Sequence, residues 1–151
     1  MKCPACSDSL QSRQVGLVAV DVCDGGCGGI WFDNFELKQM DDPGEAVGEE
    51  LLHVKRNADL IVDYQRRRIC PRCEGNVVMM RRFSSPTKEV EIDSCPSCGG
   101  TWLDAGELEK IRQESSKRAA AQRTLSGQVD MAAIREIYRM KTKANVLRDR
   151  S

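Results

Sequence analysis

Apolar residues alternate with small or polar ones at Val18, Val20 and Val22, and again at Val90 and Ile92. A period of two predicts half-buried β-strands. Val77 to Phe83 is also strand-like, and Ser84-Ser85-Pro86-Thr87 supplies a turn back toward Val90, so both regions read as short hairpins. Elsewhere the period changes. Val47, Leu51, Val54, Ala58 and Ile61 recur at intervals of four and three, which predicts an amphipathic helix from Glu45 to about Arg68, after the break at Asp41-Asp42-Pro43-Gly44. A second stripe, Val129, Ala133, Ile137, Met140, Ala144 and Leu147, predicts a helix near the C-terminus. Between the two, Leu108 to Leu125 is charged and alanine-rich with a weaker stripe, and Ser126-Gly127 divides it from the last helix. No run of about eighteen apolar residues exists, which excludes a membrane-spanning helix. No apolar segment follows Met1-Lys2-Cys3, so a signal peptide is not expected and the cytoplasm is the expected compartment.

Eight cysteines interrupt these patterns at fixed places: Cys3, Cys6, Cys23, Cys27, Cys70, Cys73, Cys95 and Cys98. They arise from a duplication. Cys3-Pro4-Ala5-Cys6 precedes Cys23 and Cys27 by a sixteen-residue gap, and Cys70-Pro71-Arg72-Cys73 precedes Cys95 and Cys98 by twenty-one. After the last cysteine of each copy, Gly28-Gly29-Ile30-Trp31-Phe32-Asp33-Asn34-Phe35-Glu36-Leu37 lies over Gly99-Gly100-Thr101-Trp102-Leu103-Asp104-Ala105-Gly106-Glu107-Leu108 at an offset of 71. Close cysteine pairs in a reducing compartment hold metal rather than disulfides. His53 is the single histidine and cannot complete a ligand set, so only two four-cysteine sites close the arithmetic. A hairpin between two cysteine knuckles is a zinc ribbon in outline, although Cys95-Pro96-Ser97-Cys98-Gly99 also suits an iron knuckle. Each copy is too small to rely on a hydrophobic core alone. Structural zinc contributes roughly 10–16 kcal/mol, so neither copy is expected to fold without it. On this reading the sites are independent, and Cys73→Ser removes the second zinc while leaving the first.

The composition narrows the chemistry further. The chain has 151 residues, 40% hydrophobic, 30% charged and 5% aromatic, with 23 basic and 23 acidic side chains. The global balance names no partner, but the local one does. Residues 1–69 carry eight basic and twelve acidic side chains, and residues 110–151 carry eleven basic and four acidic. Arg66-Arg67-Arg68 and the basic tail read as solvated faces that would also suit nucleic acid or an acidic protein. A zinc ion inside four thiolates is coordinatively closed and has no position for substrate. Asp33 with Glu36, and Asp104 with Glu107, sit three residues apart before an apolar position, as a helix capping box does. Trp31 and Trp102 are expected to cover the apolar side of their own hairpins. His53, between Leu51 and Val54, is expected to be solvated or packed.

The repeated pattern, Cys-Pro-x-Cys, a hairpin ending in Asp-x-Cys, then Cys-Gly-Gly-x-Trp-(Phe/Leu)-Asp-x-x-Glu-Leu, resembles the bacterial transcription-factor-type zinc-finger family, named for the ribbon of transcription factor IIB. It covers about residues 1–40 and 69–110. The second copy matches throughout, and the first departs by one extra residue between Cys23 and Cys27. The resemblance implies tandem zinc ribbons with two Zn²⁺ per chain, one on Cys3, Cys6, Cys23 and Cys27, the other on Cys70, Cys73, Cys95 and Cys98. It implies little about activity.

The expected protein is a small α+β fold: ribbon 1 over residues 1–40, an amphipathic helical linker over 41–68, ribbon 2 over 69–110, and a basic helical C-terminal region over 111–151. Its expected role is a non-enzymatic zinc-binding adaptor or regulator, transcription-related, acting by protein contact or self-association through the amphipathic helices. Neither ribbon is expected to offer a large apolar surface to receive those helices. Arg135, Arg139 and Lys143 would form a basic face for steering a partner. The alternative is a nucleic-acid binder using the basic C-terminal helices and ribbon faces. A thiol redox switch is a third class, suppressed by zinc ligation. No small-molecule substrate, catalytic residue or membrane partner is expected.

Overall fold

Each cysteine-bounded repeat builds three antiparallel strands. The first contributes β1 (Gln11–Val15), β2 (Val18–Val22) and β3 (Ile30–Phe32), and the second β4 (Met80–Phe83), β5 (Glu91–Ser94) and β6 (Thr101–Leu103). They are seen in a computed structural model that describes residues 1–41, 44, 46–127, 135, 136, 138 and 139. The hairpins are the ones that the period-two alternation predicts: Val18, Val20 and Val22 point inward from β2, and Val90 and Ile92 are buried in the second copy.

The two copies do not stand apart. β3 and β6 pair antiparallel, Trp31 opposite Trp102, and produce one six-stranded sheet in the order β1-β2-β3-β6-β5-β4. That order reads the same from either edge, so a pseudo-twofold passes between Trp31 and Trp102. Alternation along the strands then gives the sheet two buried faces. One carries Val20, Val22, Ile30, Phe32, Ile92 and Leu103, and the other the cysteines, Trp31, Trp102 and Met79. A joint sheet therefore offers the apolar surface that neither ribbon was expected to have alone. The reason is pairing: each copy's edge strand ends as a central strand once the other copy is beside it.

Two helices follow equivalent segments of the copies, α1 (Leu37–Met40) and α2 (Glu107–Gly127). Met40, Leu108 and Ile111 pack into the first face. Beside them, buried Arg112 donates through Nη1 to the carbonyls of Met40 and Val47, 3.1 Å each. Buried Glu114 accepts from the hydroxyls of Ser85 at 2.8 Å and Thr87 at 3.0 Å, fixing the β4–β5 turn to α2.

Among the described residues, 46–68 do not form the helix expected from Glu45 to Arg68. Only a 3₁₀ turn over Glu49–His53 forms, entered through Gly48 at φ 88°, and His53 at its end is exposed. Leu51 is buried and Val54 packs on the core. Beyond Val54 the chain is an irregular strap. Leu60 and Val62 pack on the tryptophan face while Ile61 between them is 96% exposed, the alternation of extended rather than helical chain. Covering the two tryptophans outweighs the helical spacing, because propensity is worth only tenths of a kcal/mol per residue and buried apolar area more. The partner-binding helix expected on the Val47–Ile61 stripe is thereby corrected.

The chain divides into compact units over residues 1–116 and 117–151. In the second, α2 continues to Gly127, and Arg135, Glu136, Tyr138 and Arg139 are helical and exposed. Lys143 and the stripe from Val129 to Leu147, Ile137 included, lie outside the described residues. Among the described residues, no helix is long and apolar enough to cross a membrane.

Candidate metal centres

The cysteines converge as the repeat predicts, Cys3, Cys6, Cys23 and Cys27 in one group and Cys70, Cys73, Cys95 and Cys98 in the other, with the sulfurs of each within 4.8 Å of one another. All eight are free thiols. Sulfur separations are 3.4 Å for Cys3–Cys27 and Cys6–Cys23, 3.7 Å for Cys70–Cys98 and 3.8 Å for Cys73–Cys95. A tetrahedron of thiolates about 2.3 Å from zinc has edges of about 3.8 Å, so both cages fit the ion.

Backbone amides shape each knuckle. Ala5 N–H donates to Cys3 Sγ and Cys73 N–H to Cys70 Sγ, both at 3.4 Å. The amide of Cys23 donates to the Gly29 carbonyl at 2.9 Å and that of Cys95 to Gly100 at 2.8 Å, closing equivalent loops. The extra residue of the first copy is taken up by the strap: Gly25 N–H donates to the Lys55 carbonyl and Asn57 N–H to the Gly26 carbonyl, 2.8 Å each. The crowded thiols share protons unevenly. A hydrogen bond from Cys27 brings Cys3 down to about 5, and serving as its donor pushes Cys27 up. Burial pushes Cys23 and Cys70 up to about 12. Zinc must displace the remaining protons, so its binding releases acid.

The two centres are braced by each other's copy. Trp31 and Trp102 are both fully buried, and each ring reaches the knuckle of the other copy. A Cβ at Gly29 would overlap the Trp102 ring, and a Cβ at Gly100 the Trp31 ring. A Cβ at Gly99 would lie 2.8 Å from Asn34 Cγ, and one at Gly28 3.4 Å from Ala105 Cβ. Each copy's Gly-Gly thus receives the other's Trp and the residue after its Asp. The expectation that each tryptophan serves its own hairpin reaches only half the arrangement: β3–β6 pairing also carries each ring to the other copy's Gly-Gly. The repeated two-residue Gly-to-Trp spacing is the one sequence signal of this exchange.

The transcription factor zinc-finger family model matches residues 2–41 and 69–114, more than half of the chain. The chain belongs to this family. Comparison with curated proteins and with solved structures gave no match. As a tandem zinc ribbon it holds two zinc ions, one in each cysteine group. Zinc supplies a closed cross-link between knuckles, with no open position for a reacting group.

The repeated carboxylates of this zinc-finger chain divide their work. Glu36 and Glu107 reach back to the amides of Asp33 and Asp104, 2.7 Å each, as in a capping box. The aspartates do not complete that box. Asp33 accepts from Trp31 Nε1 at 3.1 Å and pairs with Arg72 of the other copy. Asp104 accepts from Trp102 Nε1 at 2.9 Å and pairs with Arg68 at 3.2 Å. Each aspartate therefore orients the crossing indole. Arg68 is fully buried and also donates to the Asp63 carbonyl at 2.9 Å, so the reading of Arg66-Arg67-Arg68 as one solvated face holds for Arg66 and Arg67 only.

Burial raises Glu107 from 4.5 to about 8, with the nearby Asp104 and Asp93 carboxylates adding to the shift. The folded state then holds a proton that the unfolded state has lost, so stability falls as pH rises from 4.5 toward 8. Glu107→Gln keeps an acceptor for the Asp104 amide and removes the titration. Denaturant unfolding at saturating zinc between about pH 6 and 8 should show wild type losing up to about 1.4 kcal/mol per pH unit more than the variant. Parallel slopes would show that Glu107 is ionised in the fold.

Proposed function

We propose that this protein is a non-catalytic, zinc-stabilised adaptor that works by macromolecular contact in a transcription-related setting. The observation that carries the reading is the closure of its chemistry. Both metal shells are four-thiolate, and the carboxylates beside them are engaged with indoles, backbone amides and arginines. Residues with that arrangement build a scaffold, not a reaction centre.

The contact we assign to protein partners is the C-terminal stripe from Val129 to Leu147, supported by its near-heptad spacing and by exposed, helical Arg135 and Arg139 four residues apart. An apolar stripe at this spacing in the sequence calls for burial, here against another protein or a second copy of the chain, because short isolated helices are marginal in water. Ile137→Asp is expected to abolish co-sedimentation of full-length zinc-loaded chain with its nuclease-resistant partners, or its self-association, while Arg139→Glu slows association at low salt. Wild-type behaviour of Ile137→Asp would overturn the assignment. Nucleic acid is the second reading, favoured by eleven basic against four acidic side chains in residues 110–151. Loss of every captured partner on nuclease treatment would favour it.

A further inference from the structure

We propose that the strap between the ribbons carries a binding site for single-stranded nucleic acid, formed by Arg56, Tyr64, Arg66 and Arg67. This goes beyond the adaptor reading, because the C-terminal stripe and the strap can fail separately.

The site is built from beneath. Asp63 folds the strap by accepting from the amides of Gln65 at 2.9 Å and Arg66 at 3.2 Å. Arg81 Nη2 on β4 then donates to the carbonyls of Tyr64 at 2.9 Å and Arg66 at 3.5 Å. Arg68, buried against Asp104, anchors the far end of the loop. Two arginines are thus spent on holding the backbone and on pairing Asp93 and Asp104, while the exposed strap carboxylates Asp59 and Asp63 are outnumbered by Arg56, Arg66 and Arg67. What the loop leaves exposed is Arg66 and Arg67, with Tyr64, two residues before Arg66, at 42% exposure. Arg56 Nη2 donates to the Tyr64 hydroxyl at 2.9 Å, which fixes the phenol.

The partner follows from this mixture. Guanidinium forks match phosphate oxygens two at a time, and an immobilised ring offers its face to a base. Interleaved cation and aromatic is the combination that a single strand needs, with bases free to stack and phosphates between them. An acidic protein would use the arginines and leave the ring without a role. A duplex, with bases already stacked, would do the same.

The test is fluorescence anisotropy of the full-length zinc-loaded chain with a labelled single strand of about 16 nucleotides, as DNA and as RNA, between about 50 and 200 mM salt. Variants are accepted at two zinc per chain. Arg66→Glu with Arg67→Glu should weaken binding at least tenfold and lower the salt slope by about 1.4, two phosphates' worth. Tyr64→Leu should weaken it about 5- to 100-fold with the salt slope unchanged. Arg135→Glu with Arg139→Glu should leave both effects in place. Three results would overturn the proposal. One is no binding by wild type at low salt. Another is equal binding by wild type and the strap variants. The last is displacement by polyglutamate as readily as by unlabelled single strand, which would assign the loop to acidic proteins.

Discussion

Cys73→Ser is expected to weaken zinc binding at both centres of the protein, although it removes a ligand from only one. Losing the second zinc frees the Cys95–Cys98 knuckle and with it Gly100, the seat of the Trp31 ring. β6 then loses its fixed end, and β3 loses the partner that places Trp31 opposite Trp102. The Arg72–Asp33 pair, which joins the second knuckle to the first copy, is lost as well. At the first centre, Gly29 and Gly28 lose the Trp102 ring and Ala105 that close over them. Coupling free energies of this kind are about 1–3 kcal/mol, which corresponds to roughly 5- to 150-fold in the affinity of the remaining site. Coupling is reciprocal, so Cys6→Ser should weaken the second centre by a similar factor. Competition with a chromophoric chelator measures both. Wild-type affinity at the untouched site in either variant would restore the independent ribbons that the duplicated spacing alone predicts.

Arg68→Ala is expected to cost about 3–5 kcal/mol, the penalty for leaving one side of a buried ion pair. Arg68 is fully buried, and its Nη2 lies 3.2 Å from Asp104 Oδ2, itself only 12% exposed. Removing it strands Asp104 beneath the strap, where it also holds the Trp102 indole, and leaves the Asp63 carbonyl without its donor. Arg68→Met combined with Asp104→Asn should recover much of the loss, since the amide oxygen still accepts from Trp102 and no charge stays buried. Arg66→Ala and Arg67→Ala, one and two residues away and exposed, should stay within about 0.5 kcal/mol. Denaturant unfolding at saturating zinc separates these cases. An Arg68→Ala chain as stable as Arg67→Ala would mean that the ion pair contributes nothing to the fold.

The metal centres are legible in the amino-acid sequence. Four-sulfur coordination requires fixed local spacing, and a knuckle's shape is set by the few residues around its cysteines, so Cys3 to Cys27 and Cys70 to Cys98 declare themselves. The strands are legible too, because a half-buried strand writes its burial as alternation along Val18, Val20 and Val22. The Glu half of each capping box is equally local. Three features are not. The Val47–Ile61 spacing is helical, yet the segment runs as a strap because the two tryptophans and the first knuckle need a cover. Arg68 looks like its neighbours in sequence and is set apart only by Asp104, brought to it from the other end of the second copy. The crossing of Trp31 and Trp102 depends on β3 meeting β6. Local spacing and period-two burial act within a few residues, so the sequence determined the ligands, the hairpins and the tandem ribbon. Contacts between distant segments gain their energy only after the chain has folded, so the joint sheet, the exchanged tryptophans and the buried arginine were decided by the tertiary structure.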